Sequence, residues 1–246
     1  MFDYQAPEQC LKDRIIVVTG AGDGIGKAAA ISYATHGATV VLMGRTQEKL
    51  EAVYDAIESL GGPQPAIVPI NLETATEHDY IELTNIIDQE FGRVDGLLHN
   101  AGLLGLRTPI ESYDPVTWEQ VMKVNVHAPF LLTQNLMPLL QRSEDASVIF
   151  TSSGVGRTGR AYWGAYSVSK FATEGMMQVL ADEVSSVSNI RVNCINPGAT
   201  RTAMRAYAYP AEDPNTLPTP EEILPVYLYL MGSDSKGING KSLDAQ

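Results

Sequence analysis

The chain has 246 residues, 44% of them hydrophobic, with 17 basic against 29 acidic side chains and a formal charge of −12. That length holds one α/β domain with a sizeable core, and an acidic balance without any basic stripe argues against a nucleic-acid partner. Two cysteines, Cys10 and Cys194, give no disulfide framework. No apolar run approaches membrane-spanning length, and Met1–Arg14 carry no apolar leader core, so a cytoplasmic protein without a membrane partner is expected.

Short apolar runs alternate with helix-period segments nearly to the end of the chain. Arg14–Val18 reads as a first strand, followed by a glycine turn and a helix from Gly24 to His36. Gly37 ends that helix, and Ala38–Met43 is a second strand. A charged helix over Thr46–Leu60 stops at Gly61-Gly62-Pro63, before a third strand at Ala66–Ile70. Glu77–Phe91 is helical and leads into a fourth strand, Val94–Leu98. A long helical pattern over Pro115–Leu140 precedes a strand at Ser147–Phe150, and another over Trp163–Val187 precedes Ile190–Ile195. Near-continuous apolar strands in repeated strand–helix units imply a parallel sheet covered on both faces. Right-handed crossovers then leave the doubly wound Rossmann-type sheet, in one domain spanning 1–246.

From 199 to 218 the pattern breaks into an irregular, proline-bearing stretch. A loop of that length beyond a strand end is expected to be a substrate lid. Thr219-Pro220-Glu221-Glu222 restarts a helix with a capping box, and Gly237–Leu243 offers a last edge strand.

Thr19-Gly20-Ala21-Gly22-Asp23-Gly24-Ile25-Gly26 lies between the first strand and first helix. Glycines admit a pyrophosphate to the backbone, and the helix N-terminal amides face its charge. A glycine pattern alone is weak. It gains weight from Ser153, Tyr166 and Lys170 downstream. Tyr166 and Lys170 are four apart in a helical segment and share one face. A phenol titrates near pH ~10. An ammonium beside it is expected to favour the phenolate and make it a usable acid/base. Ser153 follows a strand and can hold a substrate oxygen in line with Tyr166.

With these motifs the chain resembles the short-chain dehydrogenase/reductase family in its single-domain branch. The family's T-G-x-x-x-G-x-G matches Thr19, Gly20, Gly24 and Gly26. Its N-A-G matches Asn100-Ala101-Gly102, with His99 where another Asn is usual. Its helix Asn matches Asn125, and its Y-x-x-x-K and P-G turn match Tyr166, Lys170 and Pro197-Gly198. The thirteen-residue interval selects Ser153 over Ser152. Segments such as His99–Gly105 and Phe171–Met177 are most similar to the YciK-like bacterial oxidoreductases.

The resemblance implies roles. Tyr166 would exchange a proton with the substrate oxygen, and Lys170 would lower its pKa and hold the nicotinamide ribose. Ser153 would orient the carbonyl. Asn125 would anchor a water, unless it is a polar helix residue satisfied internally. Gly20, Gly22, Asp23, Gly24, Ile25 and Gly26 would cradle the phosphates, with Asn100, Ala101 and Gly102 lying alongside. Pro197, Gly198, Ala199 and Thr200 would face the nicotinamide, and Thr202 would reach its carboxamide or phosphate side. Asn71 and Leu72 would meet the adenine.

The second strand runs into Gly44-Arg45, not the acidic residue that selects NAD. A guanidinium there suits a 2′-phosphate, so NADP(H) is expected in preference to NAD(H), unless Arg45 is merely a solvated helix-start residue. Leu103, Leu104, Gly154, Val155, Trp163, Met204 and Tyr207 suggest an apolar pocket for a small carbonyl or alcohol substrate. Arg157, Arg160 and Arg205 could contact an anionic handle or lie on the surface. The four histidines are scattered, so no metal is expected. Extra apolar residues on the helices carrying Asn125 and Tyr166, Phe130 and Phe171 among them, point to a homodimer or homotetramer. A non-catalytic NADP(H)-sensing regulator or scaffold remains the alternative, because fold does not fix function.

Overall fold

The computed structural model describes every residue, Met1–Gln246. Seven strands form one sheet: β1 Ile15–Thr19, β2 Thr39–Gly44, β3 Ala66–Pro69, β4 Gly96–His99, β5 Ser147–Thr151, β6 Arg191–Asn196 and β7 Ser242–Asp244. Their order is β3-β2-β1-β4-β5-β6-β7, and every neighbouring pair is parallel. This is the doubly wound sheet that the strand–helix alternation implies. The helices are α1 Gly24–Thr35, α2 Gln47–Ser59, α3 Glu77–Phe91, α4 Pro115–Met122, α5 Ala128–Leu140, α6 Gly164–Val184, α7 Ala203–Ala208 and α8 Leu224–Met231.

Local chemistry fixes several helix starts. The Asp23 carboxylate accepts from the Gly24 N–H at the head of α1, and Asp114 accepts from the Thr117 N–H at the head of α4. Thr76 and Asp79 form a capping box on α3, which ends on Gly92 in the left-handed conformation. Alternate strand residues serve opposite faces. Ile16, Val18, Val40 and Leu42 pack against α1, α2 and α8. Val17, Val41, Leu97 and Val148 pack against residues of α3, α5 and α6. The buried inner strands follow from having helices on both faces, while the edge strands β3 and β7 are only half-buried.

Three expectations need correction. The apolar pattern over Pro115–Leu140 is not one regular helix: Lys123–His127 form a π-helical segment between α4 and α5, with the Ala128 N–H bonded to the Lys123 carbonyl. The stretch 199–218 is not wholly irregular, because α7 and a 3-10 turn at Pro214–Thr216 lie within it. Thr202 caps α7 by accepting from the Arg205 N–H. Of the capping box at Thr219, the Glu222 half forms, with its carboxylate accepting from the Thr219 N–H. A 3-10 turn then precedes α8, whose apolar residues are mostly buried. The tail supplies β7, as expected.

Gly26 is where α1 crosses the sheet most closely. A Cβ there would lie 2.2 Å from the Gly20 carbonyl oxygen and 2.6 Å from Asn100 Nδ2. Both neighbours sit in the turns after β1 and β4. Gly26→Ala should therefore destabilise the fold by about 1–3 kcal/mol, read as a lower denaturant midpoint at unchanged slope.

Candidate active site

Because all strands run the same way, the segments after β1 through β6 emerge on one edge of the sheet. Thr19 joins two of them. Its Oγ1 accepts from the Asn100 and Ala101 N–H groups, at 3.0 and 3.1 Å, and donates to the Leu98 carbonyl. Gly20 sits at φ +68°, and a Cβ on it would approach Ala101 Cα to 3.0 Å. Only glycine combines that backbone conformation with that clearance.

The edge encloses a cavity of about 440 Å³. It begins at Arg45, Thr46 and Lys49, passes the glycine turn, Asn71 and Leu72, and ends at Ser153, Tyr166 and Lys170. Gly20, Gly22, Asp23, Gly24, Ile25, Asn100, Ala101, Gly102, Pro197, Gly198, Thr200 and Thr202 also line it. Gly26 does not; its place is the helix–strand crossing. Ala199 does not either, and its carbonyl accepts from the Gln246 side chain. Among the lining residues that were not anticipated, Lys49 carries charge beside the glycine turn. Its Nζ lies 2.5 Å from the Asp23 carboxylate, so the acid of the glycine turn is paired with a cation next to Arg45. Both partners are more than half exposed, so the pair contributes local charge balance more than stability.

Tyr166 and Lys170 occupy the inner end. Lys170 is buried, its Nζ donates to the Thr151 carbonyl at 2.7 Å, and it lies 5.5 Å from the Tyr166 ring centroid. Ser152 is turned away, its hydroxyl donating to Glu174 at 2.5 Å, which leaves Ser153 as the serine beside the phenol. The electrostatics correct the sequence reading. Burial pushes the Tyr166 phenol up to about 12, with Ser153 pulling it only part of the way back. Burial also brings Lys170 down to about 8. Spacing alone suggested an acidified phenol; with the protein's own groups, burial sets the direction, only Ser153 opposes it, and the phenol is protonated at neutral pH.

Asn125 lies in the π-helical segment and does not line the cavity. Its Oδ1 accepts from the Leu103 N–H, and its Nδ2 donates to the Leu103 carbonyl and Ser169 Oγ, all at 2.8–2.9 Å. The side chain is thus satisfied internally and braces Leu103. His99 is buried and stacked on Phe150, with its Nε2 2.8 Å from Thr133 Oγ1. Burial, and then the charge of Lys170, bring its pKa down to about 3, so it is neutral.

The space beside Tyr166 is apolar, with Leu103, Leu104, Trp163, Met204 and Ala208 on its walls. Val155 packs behind Trp163 and Tyr166. Gly154 and Tyr207 do not line the cavity, and Tyr207 is 67% exposed. Arg107, which no motif flagged, lies over the rings of Trp163 and Tyr209 at 4.8 and 4.7 Å, and Arg205 covers Tyr209 at 3.9 Å. Arg205 is also held by two 2.6 Å bonds to Glu212, and Arg157 is engaged by Glu174, Ser242 and Asp244. Neither is a free anchor for an anion. Arg160 is exposed.

With this geometry established, comparison with known proteins decides the family. Residues 14–213 match the family described as short chain dehydrogenase. The chain belongs to the short-chain dehydrogenase family. It is 55% identical over 243 residues to the uncharacterised oxidoreductase YciK of Escherichia coli K12, spanning 99% of this chain and 96% of the relative. It is 30% identical to the 3-oxoacyl-[acyl-carrier-protein] reductase FabG of Thermotoga maritima, covering 94% and 95% of the two chains. The solved structure of the oxidoreductase YciK from E. coli superposes with a TM-score of 0.96 at 55% identity over all of both chains. A Shigella flexneri 2a relative solved with NADP gives 0.95 at 55% identity, over 98% of this chain and 100% of that one. An E. coli CFT073 relative complexed with NADPH gives 0.94 at 56%, with the same coverage. The resemblance to the family and to its YciK-like members is thereby borne out.

Asn125→Ala leaves both Leu103 backbone groups and Ser169 without their partner. It should lower unfolding free energy by about 1–3 kcal/mol, measured by chemical denaturation.

Proposed function

We propose that this short-chain dehydrogenase interconverts a small carbonyl compound and its alcohol, with NADP(H) as hydride carrier and Tyr166 as acid/base. The observation that carries the reading is the convergence of Ser153, the buried Tyr166 and Lys170 at the inner end of a cavity that begins at Arg45.

The residues fit the cofactor. Gly20 and Gly24 hold positive φ angles and keep the loop clear of side chains at the N-terminus of α1, where an anion is favoured. Arg45 and Lys49 offer cations to a 2′-phosphate, and Gly44 brings no carboxylate to repel it. The NADP and NADPH complexes of the Shigella and E. coli relatives support the same choice. Asn71 and Leu72 would take the adenine, Lys170 the nicotinamide ribose, and Pro197–Thr200 with Thr202 the nicotinamide side.

When bound, NADPH supplies a hydride to the carbonyl carbon. The chain's own residues orient the substrate and move the proton. Ser153 donates a hydrogen bond to the carbonyl oxygen, and Tyr166 gives that oxygen its phenolic proton. A phenol near 12 is in the donor form throughout the neutral range, which suits reduction. The phenolate left behind faces the Lys170 ammonium, which offsets its charge. Leu103, Leu104, Trp163 and Met204 favour a substrate whose remainder is compact and apolar. Segment 199–218 acts as the lid, with α7 held against Trp163 through Arg107 and Tyr209.

Two experiments test this reading. NADPH oxidation with a panel of small ketones and aldehydes should show turnover, and Tyr166→Phe should lower kcat by about 10²–10⁴-fold while NADPH binding changes little. Turnover surviving in that variant removes Tyr166 from its role. Arg45→Ala should weaken NADPH about tenfold or more and leave NADH nearly unaffected; a loss shared equally by both cofactors overturns the assignment.

Phe130 on α5 and Phe171 on α6 are each about half exposed, at 50% and 46%, next to Val168 at 39%. A homodimer or homotetramer pairing these helices would cover them. Light scattering at micromolar concentration should give twice or four times the 26.6 kDa chain mass, and Phe171→Asp should reduce it.

A further inference from the structure

One buried charge at the site has no part in the chemistry proposed above. Tyr166, Lys170 and Glu174 follow one another at intervals of four along α6, so they form a single stripe and Glu174 stands one turn beyond Lys170. Glu174 is 8% exposed. A buried carboxylate is retained only when hydrogen bonds and a counter-charge compensate its lost hydration. Glu174 has both. Its Oε1 accepts from Ser152 Oγ at 2.5 Å and Ser242 Oγ at 2.8 Å, and lies 3.4 Å from Arg157 Nε.

These partners are placed where they matter. Ser152 sits between Thr151, whose carbonyl accepts the Lys170 ammonium, and Ser153, which faces the phenol. The Ser152 N–H is itself bonded to the Ile195 carbonyl at 2.7 Å, so residue 152 is fixed from its backbone and from its side chain. Arg157 continues the network to Asp244, which accepts from Asn196 Nδ2, and Asn196 Oδ1 accepts from the Gly198 N–H. One carboxylate therefore braces the segments carrying Ser153 and Lys170, and is linked to the turn at Pro197–Gly198.

From this geometry we infer that Glu174 is a positioning residue of the site, acting on Ser153 through Ser152 and on Lys170 through the charge it places one turn away. The surrounding charges agree with the second arm. Facing Glu174 and Lys170 are Arg157 from the segment after β5, Cys194 from β6, Asp244 from β7, His99 from β4, and Tyr166 on α6 itself. Burial lowers Lys170, and Cys194 and Glu174 oppose that fall. Burial holds the Cys194 thiol far above its usual range, hence uncharged, and His99 is neutral. Glu174 is then the anion that sustains the ammonium against burial, and Arg157, 3.4 Å from that carboxylate, is the cation that shares its charge.

The inference rests on the proposed role of Lys170 in holding the nicotinamide ribose, and the test separates the two. NADPH binding is followed by its fluorescence from pH 6.5 to 10 for the full chain and for Lys170→Ala, Glu174→Gln, Glu174→Asp and Arg157→Gln, with thermal melts alongside. Affinity of the unaltered chain should fall as Lys170 loses its proton, and Lys170→Ala should abolish that alkaline fall. A folded-state pKa sustained by an anion drops when the anion is removed. Glu174→Gln should therefore move the fall to lower pH by about half a unit or more, weakening NADPH about threefold at pH 9. Glu174→Asp keeps the charge and should stay close to the unaltered chain. Arg157→Gln removes the cation that offsets the Glu174 charge and should move the fall upward, a second readout should Glu174→Gln not fold. An unmoved profile in Glu174→Gln or Arg157→Gln, or equal shifts in the Gln and Asp variants, overturns the role of Glu174 and leaves that of Lys170 standing. A profile unchanged by Lys170→Ala overturns both.

Discussion

The structure depends on a reversal of winding at β1. The chain steps outward from β1 through β2 to β3, then returns to place β4 on the other side of β1 and continues outward to β7. Connections leaving β1 and β4 depart to opposite sides, so a crevice opens where they part. The Thr19 hydroxyl, at the end of β1, holds its floor by accepting from the Asn100 and Ala101 N–H groups in the turn after β4. Parallel direction does the rest: the turn after each of the first six strands opens on the same edge. Glycine loop, Arg45, Asn71, Asn100, Ser153 and Pro197 thus come together from across the sequence.

At the inner end of the crevice, two electrostatic effects compete. Proximity of Lys170 favours an ionised phenol, whereas the dry surroundings favour neutral forms of both groups. The dry surroundings prevail, since Tyr166 rises and Lys170 falls. A corner of this kind holds its proton on the phenol at rest, and the ammonium gains importance only as negative charge develops beside it. Its state is then sensitive to charges placed behind the helix, which directs attention to the back of α6 as much as to its cavity face.

Much of this was legible in the sequence because the signals were local. The strand runs were short, apolar and separated by helix-period segments, and Gly37 and Gly61-Gly62-Pro63 marked helix ends. Tyr166 and Lys170 share a face by simple spacing. What escaped reading was non-local or solvation-dependent. Lys49 meets Asp23 across 26 positions, and Arg107 reaches Trp163 and Tyr209 from a loop with no motif. The sign of the Tyr166 shift turned on burial, which four-residue spacing does not report. The π-helical segment hid in a stretch so rich in apolar residues that a one-residue change of phase left no trace. The helix α7 is six residues, too short for periodicity to register.

That phase change has a consequence for how this region can vary. The extra residue in Lys123–His127 turns everything after it by about 100° relative to an unbroken helix. It lets α4 lie against α6 while α5 lies against α3, with Leu132 and Leu136 directed into the core. Asn125 aside, swaps of side chain along the segment alter surface or fit, but deletion of a single codon would rewind the helix, withdraw Asn125 from Leu103 and rotate the α5 core residues off the sheet. Residue count in this stretch is therefore as much a part of the fold as the identity of Asn125.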